Sequence, residues 1–226
     1  MKPAIAFARL IPLQLLLGGS WSAAATLDFE PPPPAGTQYG QAFGQAPGQN
    51  IPELGQDGIN LSFENFVDTS FEPDFTGFVA AQIGGRFASA FPTTPLSMDS
   101  INARFDFAGL GFNVNQASIE YIEFGILYNF AVNDGSVHEV GALTELPSKV
   151  APGIDLTIEE LDAGTGRMRL TLVGDVSSFL IGGYELGIDN ITAIPEPATL
   201  LLLGICGAFI VWRGSRRFAR PAQSAR

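Results

Sequence analysis

Alternating apolar and polar residues run through most of the chain between residues 59 and 194. Ile59, Leu61 and Phe63, for example, alternate with polar neighbours. The same two-residue period returns in three later segments: 101–107, 154–158 and 168–172. A period of two places successive side chains on opposite faces, which is typical of half-buried β-strands. No stretch in this region has the period of an amphipathic helix, so the pattern predicts an all-β domain.

Turn residues divide these strands at intervals of roughly 8–12 residues. Asn133-Asp134-Gly135 predicts a hairpin between 128–132 and 137–143, and Gly164-Thr165-Gly166 predicts another. Gly182-Gly183 is expected to separate the last strand from the strand before it, and 75–83 is expected to form one strand. The chain has 18 phenylalanines, mostly at strand positions, where they would fill the space between two sheets. Many short strands with such a filling predict a jelly-roll-like β-sandwich.

One strand changes phase. Ile119 and Tyr121 share one alternation, whereas Ile122, Phe124 and Ile126 share the opposite one. A shift of one residue would turn a core face towards solvent, so the change of phase predicts a β-bulge in this strand.

Both ends of the chain have the composition of targeting segments. Residues 1–25 predict a signal peptide, with Lys2 and Arg9 before an apolar stretch and Ala23-Ala24-Ala25 as the cleavage site. At the other end, an uncharged run over 198–212 predicts one transmembrane helix. The residues that flank this run are Pro195, Glu196 and Pro197 before it and Arg213, Arg216, Arg217 and Arg220 after it. The arginines predict a cytoplasmic C-terminus.

This order of a Pro-Glu-Pro tripeptide, one short apolar span and terminal arginines over residues 195–220 resembles the PEP-CTERM sorting signal of Gram-negative bacteria. The resemblance implies that exosortase, a membrane-embedded processing enzyme, is the partner of this segment. It also implies a transient anchor in the inner membrane and a final location at the cell surface or in the extracellular matrix. The alternative is an ordinary C-terminal anchor that follows two prolines.

The predicted mature region consists of residues 26–58, a first strand with a Pro-, Gly- and Gln-rich loop, and the sandwich domain of 59–194. Much of 101–194 resembles the extracellular region of many PEP-CTERM proteins. The ending around Asp189-Asn190 is also similar to carbohydrate-binding jelly rolls, although Gly187 stands where such domains often have an aromatic residue.

Charge limits the partners of this region. Between residues 26 and 197 there are five basic and 23 acidic residues, a net charge of −18. Such a surface repels phosphates and anionic lipids, so we expect no binding to nucleic acid. The single cysteine, Cys206, lies in the predicted membrane segment, which excludes an intramolecular disulfide.

Catalytic chemistry has little support in the sequence. His138 is the only histidine, so it alone could serve a Ser-His-Asp or Cys-His arrangement, and it lies in a strand beside Glu139. A glycosidase needs one pair of carboxylates in a cleft. With 23 acidic residues in the chain, candidates such as Glu159, Glu160 and Asp162 carry no specific signal for such a pair. We therefore expect a protein that is not an enzyme.

A calcium site is the sharper candidate for a cofactor. If the first and last strands are neighbours, they bring Asp28 and Glu30 close to Asp189 and Asn190. Carboxylate and carbonyl oxygens are the ligands that Ca²⁺ prefers. In the alternative interpretation, Asp189-Asn190 shapes a bulge, and Asp28 and Glu30 are solvated.

Three functions remain open. The first is a non-catalytic surface or matrix protein that is sorted through its C-terminal signal. The second is a carbohydrate-binding module for extracellular polysaccharide, with Tyr39, Tyr121 or Tyr128 as exposed stacking platforms. The third is a glycan-active enzyme, which would need two carboxylates in a cleft.

Overall fold

The computed structural model describes residues 23–30, 33–70 and 75–196. These residues form fifteen β-strands and no α-helix, so the prediction of an all-β domain is confirmed. Within the same residues, no helix has the length and apolar character needed to cross a membrane. Most of the predicted signal peptide (1–25) and the whole of the predicted transmembrane helix (198–212) lie outside the described residues.

The first sheet contains nine of the described strands, numbered here in chain order. They are β1 (Ala25–Leu27), β2 (Gln38–Tyr39), β5 (Ala80–Ile83), β6 (Leu96–Asp99), β8 (Val114–Glu123), β11 (Lys149–Ala151), β12 (Ile154–Asp162), β13 (Arg167–Val173) and β15 (Leu186–Pro195). Across the sheet they lie in the order β11-β12-β13-β8-β15-β6-β5-β2. The last strand, β15, pairs with β8 along its length, with β6 on the other side of its first half and with β1 on that side of its second half.

The second sheet contains six of the described strands. They are β3 (Asn60–Asp68), β4 (Phe75–Gly77), β7 (Ile101–Asp106), β9 (Tyr128–Val132), β10 (His138–Val140) and β14 (Ser178–Gly183). Their order across the sheet is β10-β9-β14-β7-β3-β4, and every pairing is antiparallel. The predicted hairpin at Asn133-Asp134-Gly135 joins β9 to β10, and the predicted turn at 164–166 joins β12 to β13.

One hydrophobic core lies between the two sheets. The inner positions of strands in both sheets, including Leu61, Phe105, Phe179 and Ile188, are fully buried in it. The rings of Phe105 and Phe179 lie 5.0 Å apart between their centroids. Full burial of one such side chain contributes about 1.5–3 kcal/mol, so these phenylalanines supply much of the driving force for folding.

The prediction of one strand over 75–83 is wrong. The segment divides into β4, which pairs with β3 in the second sheet, and β5, which pairs with β6 in the first. Between them Phe78 is buried in the core, and the amide of Val79 donates a hydrogen bond to the carbonyl of Ser100 at 3.2 Å. The chain therefore crosses from one sheet to the other within a mostly apolar segment, without a polar turn between the two strands.

The bulge predicted for β8 lies on its partner strand instead. Asp189 of β15 is opposite Glu120, but Thr192 is opposite Ser118, so β15 contains the extra residue. The change of apolar phase in β8 has a different cause, because Ile122 packs on the outer face of the sheet with Phe87 and Phe91.

Gly182 and Gly183 do not separate two strands as predicted, because both lie inside β14. A Cβ atom on Gly182 would overlap Asn102 Oδ1 and lie 2.5 Å from the carbonyl oxygen of Ile101. Two buried side-chain amides occupy this space. Asn102 donates a hydrogen bond to Asn129 Oδ1 at 3.2 Å, and Asn129 in turn accepts from the amide of Val67 and donates to its carbonyl. These glycines permit close packing rather than a turn.

We expect Gly182→Ala to lower the free energy of unfolding by about 3 kcal/mol or more, because the methyl group meets backbone and a buried amide that have no room to move. Gly141→Ala is the matched control, since its Cβ would meet only the carboxylate end of Glu145, at 3.3 Å. Urea denaturation of both variants measures the effect. Equal stability of the two variants would contradict the packing role of Gly182.

Candidate functional site

The first and last strands are neighbours, as the calcium prediction requires. Thr26 of β1 is opposite Thr192 of β15, and Leu27 is opposite Ile191. The chain continues from β1 to Asp28, whose charge acts on the buried carboxylate of Asp189. The pairing of β1 with β15 therefore brings Asp28 close to Asp189, two of the four predicted calcium ligands.

Asp189 is the most deeply buried acidic residue of this group, with no exposed surface. Its carboxylate accepts hydrogen bonds from the hydroxyl of Thr93 and, at 2.8 Å, from the amide of Asn190. Burial is the largest cause that raises the pKa of Asp189, and it outweighs the two hydrogen bonds, which lower the pKa. The negative charges of Glu120 and Asp28 add smaller increases, and the resulting pKa is about 7. The group therefore changes charge near neutral pH.

The other predicted ligands have protein partners of their own. Asn190 forms the bulge of β15 with a φ of +49°, and its side-chain amide donates to Glu120 at 3.4 Å. Glu30 accepts hydrogen bonds from the amide and the hydroxyl of Thr94, at 3.1 and 3.2 Å. Among the residues that the structure describes, no three acidic, histidine or cysteine side chains form a group that could hold a metal ion. The calcium site stays a prediction.

Glu120 is the member of this neighbourhood that the sequence analysis missed. It is 8% exposed, and its carboxylate pairs with Arg169 at 2.8 Å and lies 3.8 Å from Arg167. Arg169 also pairs with Glu159 at 3.1 Å. The sequence did contain a signal for an acidic partner at this place. Only five basic residues lie between residues 26 and 197, and two of them, Arg167 and Arg169, are two positions apart on β13 and therefore face the same side of the sheet.

The tyrosines predicted as exposed stacking platforms belong to the core instead. Tyr39, Tyr121 and Tyr128 are exposed by 2%, 0% and 0%. Each lies at an inward position of its strand, where its ring fills the space between the sheets. That prediction is wrong, because alternation alone does not say which of the two faces of a strand is covered.

A different aromatic side chain, that of Phe124, lies on the surface against the buried ring of Phe87. Phe124 is 63% exposed, and its ring centroid lies 5.5 Å from that of Phe87. Beside them the guanidinium of Arg86 lies 5.3 Å from the Phe87 centroid and pairs with Glu185 at 2.7 Å. These residues line an open pocket of about 330 Å³, which we call the aromatic pocket; its other lining residues are Ser89, Ala90, Ile122, Gly164 and Thr165.

His138, the one histidine, lies half-buried in β10. Its Nε2 atom is 3.4 Å from the carbonyl oxygen of Val150. The acidic residues considered for a glycosidase pair are Glu159 and Glu160, in β12, and Asp162, at the end of that strand. The Asp162 carboxylate accepts hydrogen bonds from the amide of Gly164 and the hydroxyl of Thr165, which holds the following turn.

The predicted sorting tripeptide begins inside the fold. Pro195 is the last residue of β15 and is opposite Val114 of β8. The amide of Glu196 donates to the carbonyl of Asn113 at 3.2 Å, which extends the pairing by one residue. The remaining predicted residues lie outside the described part of the chain: Pro197, Arg213, Arg216, Arg217 and Arg220.

Comparison with protein families identifies this end of the chain. Residues 193–217 match the PEP-CTERM protein-sorting motif, which confirms that the chain carries this signal. The match spans the last three residues of β15 and the segment that follows. No curated protein and no solved structure matches the chain.

We expect Asp189→Asn to remove a pH dependence of stability. The folded pKa of about 7 lies above the ordinary value of 3.8, so the folded state keeps a proton that the unfolded state has lost. The contribution of Asp189 to the free energy of unfolding is therefore fully present below about pH 4 and is lost as the pH rises through 7. Above pH 7 the variant should be more stable than the native chain by on the order of 2–4 kcal/mol.

Urea denaturation between pH 4 and pH 8 measures this difference, and Asp155→Asn, at an exposed carboxylate, is the control. If Asp189→Asn loses stability with pH as steeply as the native chain, another group is responsible. Repeating the melts at pH 8 with millimolar Ca²⁺ tests the calcium prediction. A bound cation should raise the melting temperature of the native chain and leave Asp189→Asn unchanged.

Proposed function

We propose that this chain is an exported, non-catalytic protein of the cell surface or extracellular matrix, processed by exosortase through its C-terminal signal. The observation that carries the proposal is the sorting motif at 193–217, which follows directly on a sandwich with its own core. In this proposal the signal peptide of 1–25 directs export. The apolar helix of 198–212 then holds the chain in the inner membrane until it is processed.

The buried carboxylates support a non-catalytic role, because they hold the fold together. Asp68 is 2% exposed and accepts hydrogen bonds from Tyr184 at 2.6 Å and from the hydroxyl of Ser70 at 2.5 Å. Burial by itself raises the pKa of Asp68, but these hydrogen bonds outweigh burial and hold the pKa below its ordinary value. Glu64 likewise pairs with Arg104 across β3 and β7. Asp68 is therefore charged at neutral pH, and both of its carboxylate oxygens accept hydrogen bonds within the fold.

Processing can be tested in a host with and without exosortase. We expect the full chain to become shorter and leave the membrane fraction only when the enzyme is present. Reversing the charge of Arg213, Arg216, Arg217 and Arg220 should misorient the segment and abolish processing, since cytoplasmic positive charge sets the orientation of the span. Glu196→Ala should spare insertion and slow processing, whereas Glu53→Ala, on a distant exposed loop, should have no effect.

Apparent mass on gels and the distribution between membrane and soluble fractions are the measurements. A chain that stays full-length and membrane-bound in both hosts would show that the tail is only an anchor.

A second candidate function is binding of extracellular polysaccharide, and the strand order supports it. We infer that the sandwich is a jelly roll. Four neighbouring strands of the first sheet lie in the order β6-β15-β8-β13, and they face β7-β14-β9-β10 of the second. Along the chain, β6 leads to β7, β8 to β9 and β14 to β15, each time crossing between sheets. This winding is that of jelly rolls, a class that includes lectins, although fold alone does not assign a function.

The aromatic pocket is the surface that fits a sugar. Sugar rings present apolar C–H faces and polar hydroxyl edges, and the pocket offers the exposed ring of Phe124 beside the ion pair of Arg86 and Glu185. Because Glu185 neutralises Arg86, and the domain carries a net charge of −18, an acidic glycan would be repelled. We therefore propose a neutral oligosaccharide as the ligand.

We expect Phe124→Ala and Arg86→Ala each to weaken binding of a neutral glycan by about fivefold or more, because each removes one side of the contact. Ile126→Ala is the control, since Ile126 is 82% exposed in the same loop and does not line the pocket. A glycan array identifies the ligand and titration calorimetry measures the affinities. Preference for acidic glycans, or equal loss in the control, would contradict the proposal.

A further inference from the structure

The sorting motif and the folded domain share residues. The family match begins at Ala193, which is fully buried and pairs with Ala117 of β8. Ile194 and Pro195 continue the pairing with β8, and Glu196 adds one more hydrogen bond to Asn113. No linker therefore separates the sandwich from the motif.

This overlap decides which peptide bonds a processing enzyme can reach. An enzyme that cuts a chain must surround the scissile bond, and a backbone whose hydrogen bonds are held in a sheet is not available for that. Opening β15 as far as Ala193 would break its pairing with β8 over residues 193–195 and expose buried Ala193. The bonds before Glu196 are therefore protected as long as the domain is folded, whereas Glu196 itself is exposed.

The distance to the membrane adds a second constraint. Only Pro197 lies between Glu196 and the apolar run that starts at Ala198. Two peptide units span at most about 7 Å, so the end of the sandwich lies at the membrane surface before processing. An enzyme embedded in the membrane thus meets the chain where the sheet has just ended.

We propose that processing acts on the folded domain and cuts at the Glu196–Pro197 bond or beyond it, so that Pro195 and Glu196 stay on the mature protein. In this step the amide C–N bond breaks and the carbonyl carbon forms a bond to a nucleophile, either water or a hydroxyl or amine group. The amide nitrogen takes up a proton and leaves with the membrane segment. The inference rests on the proposed exosortase-dependent processing.

The C-terminus of the mature protein tests the proposal. The full chain is produced in a host with exosortase, the processed form is isolated, and its C-terminal peptide is sequenced by mass spectrometry. We expect it to end at Glu196 or at a later residue. An end at Pro195 or earlier would overturn the proposal while leaving exosortase-dependent processing intact. A chain that stays unprocessed would overturn both.

Hydrogen exchange gives an independent measurement on the unprocessed chain in detergent. We expect the amides of Ile194 and Glu196 to exchange at least about tenfold more slowly than exposed loop amides such as that of Gly44, because this segment pairs with β8 and the Glu196 amide donates to Asn113. Exchange as fast as in the loop would mean that the strand is open before processing, and the proposal would fail.

Discussion

The structure depends on the central position of its last strand. β15 bonds to β8 along its length and to β6 and β1 on its other side, so three segments from distant parts of the chain meet along one backbone. The first sheet is incomplete until this strand is in place, and the strand leads directly into the sorting signal. Folding of the domain and presentation of the signal are therefore parts of one event. The first sheet is complete only when the chain up to Pro195 is in place.

The few basic residues show how an acidic protein tolerates buried charge. Glu120 and Glu64 each have an arginine partner, whereas Asp68 relies on hydroxyl and amide donors. Asp189 has two such donors, but its burial outweighs them, and the charges of Glu120 and Asp28 add to the rise of its pKa. The pKa of this carboxylate is therefore about 7. That makes it sensitive to pH and the natural place to test for a cation.

The surface aromatic residues have a different role from the buried ones. Tyr121 and Tyr128 fill the core, whereas Phe124, in the loop after β8, remains exposed beside Phe87. A large aromatic side chain exposed to this extent loses stabilisation that burial would give it, and in the proposed function it serves as the contact for a ligand. The ion pair of Arg86 and Glu185 gives the same pocket a polar edge. The combination is suited to an amphipathic ligand such as a neutral sugar.

The sequence by itself determined the fold class, the positions of most strands, two of the turns and the sorting signal. Each of these depends on local chemistry: a two-residue period, the backbone preferences of Asn and Gly, and a fixed order of residue types near the C-terminus. Only the tertiary structure decided the rest. It places Tyr121 on the core face of its strand, leaves no room for a side chain at Gly182, and brings Glu120 beside Asp189. These features depend on strands that are far apart in the chain. A local pattern carries no information about the residue that will lie opposite.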